Sequence, residues 1–179
     1  MNIEKLVLIT FVLLTACKES TTEEQYNEWY SKAKEKIIQE SSQLSDSTYI
    51  EVNKKDSTFR IIHSFIKGQK LSTKHFSTDQ LRASYHYSKD GRLKLVREYW
   101  TNEYWAFEGV RYDDKFYGPW TVRHSPEVKN NKNLPYKRRE YRFSGKKVGI
   151  TIELLEPLSR KEIFHHNWVS ADSLPKINN

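Results

Sequence analysis

The sequence predicts an α+β protein, mainly antiparallel β: one N-terminal amphipathic helix packed on a curved β-meander of successive hairpins. Three observations predict it. The hydrophobic period changes from helical to alternating after the polar stretch "SSQLSDS" at 41–47. Turn signals punctuate everything beyond it, with Gly68, Gly91, Gly118 and Gly145 separated by 23, 27 and 27 residues. Aromatic residues make up 13% of the chain, including 11 Tyr and 5 Trp, a composition that suits strands.

The chain opens with "LVLITFVLLTACKES" at 6–20. The apolar run from Ile3 to Ala16 is 14 residues long, short of the roughly 20 that cross a bilayer as a helix. Lys5 precedes the greasy part and the small residues Thr15 and Ala16 end it, which is the layout of a secretory signal peptide. A buried core helix fits poorly, because the run has no polar face. "LTAC", Leu14 to Cys17, resembles the lipobox of bacterial lipoproteins. That resemblance implies cleavage before Cys17, a diacylglycerol on its sulfur and acylation of its amine. Each buried acyl methylene contributes about 0.8 kcal/mol, so two or three chains hold a domain on a membrane. Cys17 is the only cysteine, so no disulfide forms within the chain. The expected organisation is a signal peptide at 1–16, a lipidated tether at 17–24, one domain at 25–170 and a flexible tail at 171–179. The expected address is the bacterial cell envelope, most simply the outer membrane, with the lipid as the membrane partner.

The helix comes next. Tyr26, Trp29, Tyr30, Ala33 and Ile37 fall on one helical face. Thr21 and Glu24 are spaced as a capping box, and Glu28 and Lys32 as an i,i+4 pair on the wet side. The apolar stripe is expected to pack on the protein's own sheet. The strands follow. In "TFRIIHSFI" the residues Phe59, Ile61, His63 and Phe65 share a face, and in "KVGITIEL" so do Val148, Ile150, Ile152 and Leu154, with Thr151 and Glu153 opposite. Such alternation fits an antiparallel sheet with one wet face. "IKGQK", "SKDGRL", "DKFYGPW" and "FSGKK" read as the turns, and Asp90-Gly91 as a two-residue hairpin loop. "SPEVKNNKNLPY" at 125–136 is long for a hairpin connection.

"WAFEGVRYDDKFYGPWTVRH" at 105–124 resembles one MORN-type repeat, carried by Gly109, Tyr112, Gly118 and Trp120. "YHYSKDGRLKLVREY" is similar to the tyrosine-rich hairpins of such proteins and of YD-type repeats. The resemblance implies open antiparallel sheets that work by contact with partners.

The motifs for known chemistries are missing. There is no HExxH, no cysteine–histidine cluster and no G-x-S-x-G elbow, and the adjacent His165 and His166 point to opposite faces of a strand. Neither a metal nor a cofactor is called for. A carboxylate pair for hydrolysis of an envelope polymer needs proximity that sequence does not give; Glu140 and Glu153, on neighbouring strands, are the pair considered, and pairing with nearby cations is the plainer role. Two patches suggest binding. "YKRREYRFSGKK" gathers Lys137, Arg138, Arg139, Arg142, Lys146 and Lys147 among aromatic rings, as a surface for an anionic polymer or acidic protein would. A solvated, edge-protecting strand is the equal alternative. "REYWTNEYWAF" places Trp100 and Trp105 on either side of a turn, either as core or as a contact site. The net charge of +7 agrees with an anionic partner. In an envelope that partner is an acidic protein or an anionic glycan rather than nucleic acid. The function expected is a non-catalytic binding module, of which an immunity or inhibitor role is one form; an envelope-polymer hydrolase and a structural envelope component are the alternatives.

Overall fold

The computed structural model describes residues 21–100, 104–123, 136–154, 161–165 and 168–177. The expected signal segment, Cys17, the expected turn at 101–103, His166 and, but for Tyr136, the expected loop at 125–136 lie outside them.

Helix α1 runs over Thr22–Ser41. Its start is the expected capping box: the Thr21 N–H donates to Glu24 Oε2 at 2.7 Å, and the Glu24 N–H donates to Thr21 Oγ1 at 3.2 Å. This corrects the expected tether, since residues 21–24 belong to the cap and first turn. The stripe packs as expected, with Tyr26, Trp29, Ala33 and Ile37 buried. Glu28 and Lys32 pair at 2.6 Å on the wet side.

Ten strands follow in chain order: β1 Ser47–Val52, β2 Phe59–Ile66, β3 Gln69–Ser77, β4 Gln80–Tyr87, β5 Leu93–Tyr99, β6 Trp105–Tyr112, β7 Lys115–Arg123, β8 Tyr136–Phe143, β9 Lys146–Leu154 and β10 Lys161–His165. They form one sheet in which spatial order equals chain order, every pair antiparallel. The meander is therefore as the sequence predicts. Register shifts in β2/β3, β3/β4, β5/β6, β6/β7 and β8/β9 mark bulges, which bend and twist the strands that carry them.

The turns differ in detail. Lys67-Gly68, Thr78-Asp79, Asp113-Asp114 and Ser144-Gly145 are two-residue loops; both φ angles are positive in all of them except Thr78-Asp79, where Thr78 alone is positive. Asp90-Gly91 is not one of them. Ser88 and Leu93 close a longer loop there, the Ser88 N–H donating to the Leu93 carbonyl at 3.0 Å. Ser88 is fully buried and its hydroxyl donates to Asp90 at 2.6 Å, so the serine takes over part of the turn's work. Gly118 is not a turn residue either. It sits inside β7 with φ +75°, under the helix, where a Cβ would meet the Trp29 ring at 3.2 Å and the Tyr26 carbonyl at 3.3 Å. Its glycine is set by helix approach as well as by backbone conformation.

The helix covers one face of the sheet. Trp29, Ala33 and Ile37 interlock with Leu93, Leu95 and Val110, while Tyr26 packs with Tyr141 and Val148. The segment expected as a loose tail joins this core: Leu174 and Ile177 pack against the first cluster, and Trp29 Nε1 donates to the Pro175 carbonyl at 2.7 Å. The domain thus extends at least to Ile177. In β9 the expected faces are also corrected. The bulge opposite Tyr141/Arg142 turns Val148 toward Tyr26, and Thr151, not Ile150 or Ile152, lies beneath the helix, where its hydroxyl donates to Glu23 at 3.3 Å.

Candidate functional site

Two sites of concentrated polar chemistry emerge, one under the helix and one on the opposite face. Under the helix, Glu108 on β6 is buried. It accepts from Tyr30 Oη at 2.5 Å, Lys34 Nζ at 2.7 Å and Arg97 Nε at 2.7 Å. Burial pushes the Glu108 carboxyl up, but the hydrogen bonds from Lys34, Tyr30 and Arg97 outweigh it and hold the group below its usual range. The Tyr30 hydroxyl is pushed far up, first by burial and then by the Glu108 charge. The carboxylate's oxygens are filled by donors from helix and sheet. This is a clamp joining the two layers.

The opposite face carries a ring cluster on the central strands. Gly109 leaves the space: a Cβ there would meet the rings of Phe107 and Phe116, each at 3.1 Å. Phe107, Phe116 and Trp120 close over it, with Phe107–Trp120 centroids at 4.2 Å and Phe116–Trp120 at 3.9 Å. Val96 fills the floor. Guanidinium groups lie on these rings, Arg111 over Phe116 at 4.4 Å and Arg142 over Trp120 at 4.3 Å. Among the described residues, no helix or strand packs across this face.

The charges on it are unbalanced. Glu140 is bracketed by Arg138 at 3.2 Å and by Arg142. Lys94 is held by Asp114 at 2.8 Å. Arg111 makes no direct ion pair among the described residues, although its charge helps Lys94 hold Asp114 below the usual carboxylate range; its Nε is buried against Phe116 without a hydrogen bond. Lys147, in register with Arg142, is exposed and likewise has no acidic partner there. Glu98 and, farther along the sheet, Glu51 are further carboxylates that register places on this face. The excess of cations is real but is built from three strands, not from the one hairpin that the sequence singles out.

That hairpin is divided by strand alternation. Arg138 and Arg142 lie on the helix-free face with Glu140 between them. Arg139 is on the helix side, with Nη1 at 3.5 Å from Asn27 Oδ1. Lys146 and Lys147 are exposed beside the turn. Glu140 and Glu153 are also separated. Glu140 shares the Arg138 face, whereas Glu153 pairs with Lys137 at 2.8 Å on the other. These two carboxylates therefore do not flank a common bond.

The tryptophan patch is brought together by a residue that the sequence reading passes over. Arg123 stacks on Trp105 at 3.6 Å and lies 5.9 Å from the Tyr104 ring, while its carbonyl accepts from Trp100 Nε1 at 3.1 Å. Trp105 is thus capped by a cation, and Trp100 is 45% exposed. Arg111 and Arg123 give no sequence signal of their own, because isolated arginines in strands form no motif. The signal available was the alternation that puts Arg111, Phe107 and Gly109 on one face.

No group of three His, Cys, Asp or Glu side chains among the described residues is placed to hold a metal. No helix there is long and apolar enough to cross a membrane. No protein-family model, curated protein or solved structure matches this chain.

Proposed function

We propose that this chain is a lipid-anchored, non-catalytic binding module of the bacterial cell envelope that holds a polyanionic partner, an acidic protein or an anionic glycan, against its helix-free sheet face. The anchor is Cys17, supported by the lipobox-like "LTAC" behind a short apolar leader. The observation that carries the binding reading is Arg111. Its guanidinium lies over the Phe116 ring at 4.4 Å and forms no direct ion pair among the described residues; the Asp114 carboxylate, held by Lys94, feels its charge from farther off. A guanidinium held this way keeps its planar donor edge for a carboxylate, sulfate or phosphate, and loses little rotamer freedom on binding. Arg138, Arg142 and Lys147 extend the positive field from the neighbouring hairpin, and Arg142 over Trp120 is a second ring-stacked cation on this face. A hydrolytic reading has less support, because its two considered carboxylates occupy opposite faces.

Titration of the full chain, purified in detergent, with polyglutamate and with dextran sulfate tests this, read by tryptophan fluorescence. Binding to at least one polymer at about 0.15 M salt, weakening as salt is added, is expected. Tighter binding of polyglutamate assigns the partner as an acidic protein, and tighter binding of dextran sulfate as a glycan. No binding to either polymer at low salt overturns the proposal.

A further inference from the structure

Strand β1 forms one edge of the sheet and, among the described residues, pairs only with β2. Natural edges are blunted by lysine, proline, bulges or a covering element. β1, "STYIEV", has none of the first two, its six residues are all exposed, and α1 makes its contacts farther along the sheet, on β3 to β7. Its apolar side chains are open to an unusual degree for a strand: Tyr49 58%, Ile50 54% and Val52 55% exposed, with Leu44 just before it at 92%.

The backbone of this edge is arranged for one particular mate. The Asn53 N–H turns inward to the Phe59 carbonyl at 3.0 Å, and the β1/β2 register is unbroken from Ser47 to Val52. Alternation then points the N–H and C=O groups of Thr48, Ile50 and Val52 outward. A second β1 strand, antiparallel and related by a two-fold axis at Ile50, meets all three: Ile50 faces Ile50, and Thr48 faces Val52 twice. In the same register Tyr49 faces Glu51, so the only charged residue of β1 does not meet its own copy. Sliding the register by one step to centre on Glu51 would oppose two glutamates and lose one outward residue. Hydrogen-bonding direction and exposed apolar surface select the register centred on Ile50, which matches all three outward residues, and no like charges meet in it.

We infer that β1 is a self-association edge through which two copies of this chain join their sheets, antiparallel about Ile50. The occupant is a second copy because the edge meets itself in hydrogen bonding and in exposed apolar side chains, with Glu51, the one charged residue of β1, facing Tyr49 and not its own copy. This stands independently of the helix-free face and of the partner proposed for it.

Cysteine cross-linking of the full chain in native membranes tests the register. Hydrogen-bonded antiparallel partners have Cα atoms about 5.5 Å apart, within disulfide range. Ile50→Cys should therefore give a disulfide-linked dimer on oxidation. Val52→Cys should not, because the two copies of that position lie about 13 Å apart, four residue steps along the strand. The unsubstituted chain on the same gel should stay monomeric, which sets aside Cys17. In detergent, the unsubstituted chain should show concentration-dependent dimerisation by sedimentation. Ile50→Lys, which sets two like charges on the axis, and Ile50→Pro, which removes an outward N–H while leaving the β2 ladder intact, should weaken it at least tenfold. Monomer at every concentration overturns the inference and leaves the edge to another protein's strand. So does cross-linking of Val52→Cys as readily as Ile50→Cys, or a dimer undiminished in both Ile50 variants.

Discussion

Replacing Glu108 by glutamine tests the clamp between helix and sheet. The Glu108 side chain is 7% exposed, and its cationic partners Lys34 and Arg97 are 30% and 27% exposed. Removing one member of a fully buried ion pair costs about 3–5 kcal/mol, because the remaining charge is left uncompensated. Lys34 and Arg97 keep some contact with water and recover part of that, and glutamine still accepts from Tyr30. A loss of about 3 kcal/mol is expected, equivalent to a Tm drop of about 6–12 °C for a chain of this size. Urea unfolding read by tryptophan fluorescence measures it, with an unchanged m-value indicating that only stability has moved. The pH dependence gives a second test. The folded-state pKa of Glu108 is depressed, so its contribution is present above the ordinary carboxylate value of 4.5 and is lost as pH falls through the folded value. The gap between native chain and variant should be widest at neutral pH and close as the solution is acidified below about pH 4.5. A gap under about 0.5 kcal/mol at neutral pH, or one that does not narrow in acid, would refute the clamp.

Three further outcomes follow from particular contacts. Gly149→Ala drives a Cβ to within 2.4 Å of the Trp168 ring; displacing that ring from Tyr26 and Tyr141 should cost about 1–3 kcal/mol and shift the tryptophan emission. Ending the chain after Ser173 removes the Pro175 carbonyl from Trp29 and strips Leu174 and Ile177 from the core; a destabilisation of about 2–4 kcal/mol by thermal melting is expected, where a truly loose tail would give none. Cys17→Ser should move the protein from the membrane fraction to the soluble fraction, and mass spectrometry of the native chain should find acyl chains on Cys17; a bare thiol there contradicts the anchor.

Much of the architecture was legible because it is written in periodicity. The helix declares itself through Tyr26, Trp29, Ala33 and Ile37 and through the Thr21–Glu24 box, all local features. The meander is equally local, since each strand pairs with its chain neighbour. What stayed hidden depends on contacts distant in sequence. Gly118 looks like a turn glycine until Trp29 and Tyr26 are placed over it. Thr151 looks like a wet-face residue until the bulge in β9 and the arrival of Glu23 put it under the helix. The tail reads as solvent-exposed because Leu174 and Ile177 are too few to make a pattern, yet Trp29 supplies both a surface and a donor. The cationic surface shows the same division. Arg138 and Arg142 stand out as a run, but alternation removes Arg139 from their face, and Arg111, two strands away, joins it through the rings of Phe116 and Trp120.

The most direct measurement compares two variants of equal net charge. Arg111→Gln/Arg142→Gln neutralises two cations on the helix-free face, whereas Lys32→Gln/Lys176→Gln neutralises two on the helix side. Each is titrated with whichever polyanion the native chain binds, at about 0.15 M salt. Affinity should fall at least tenfold in the arginine pair and stay within about twofold in the lysine pair, a difference of roughly 1 kcal/mol or more. Equal losses in the two would mean that the chain attracts polyanions through its overall charge alone, and that the ring-stacked guanidinium groups are not the binding site.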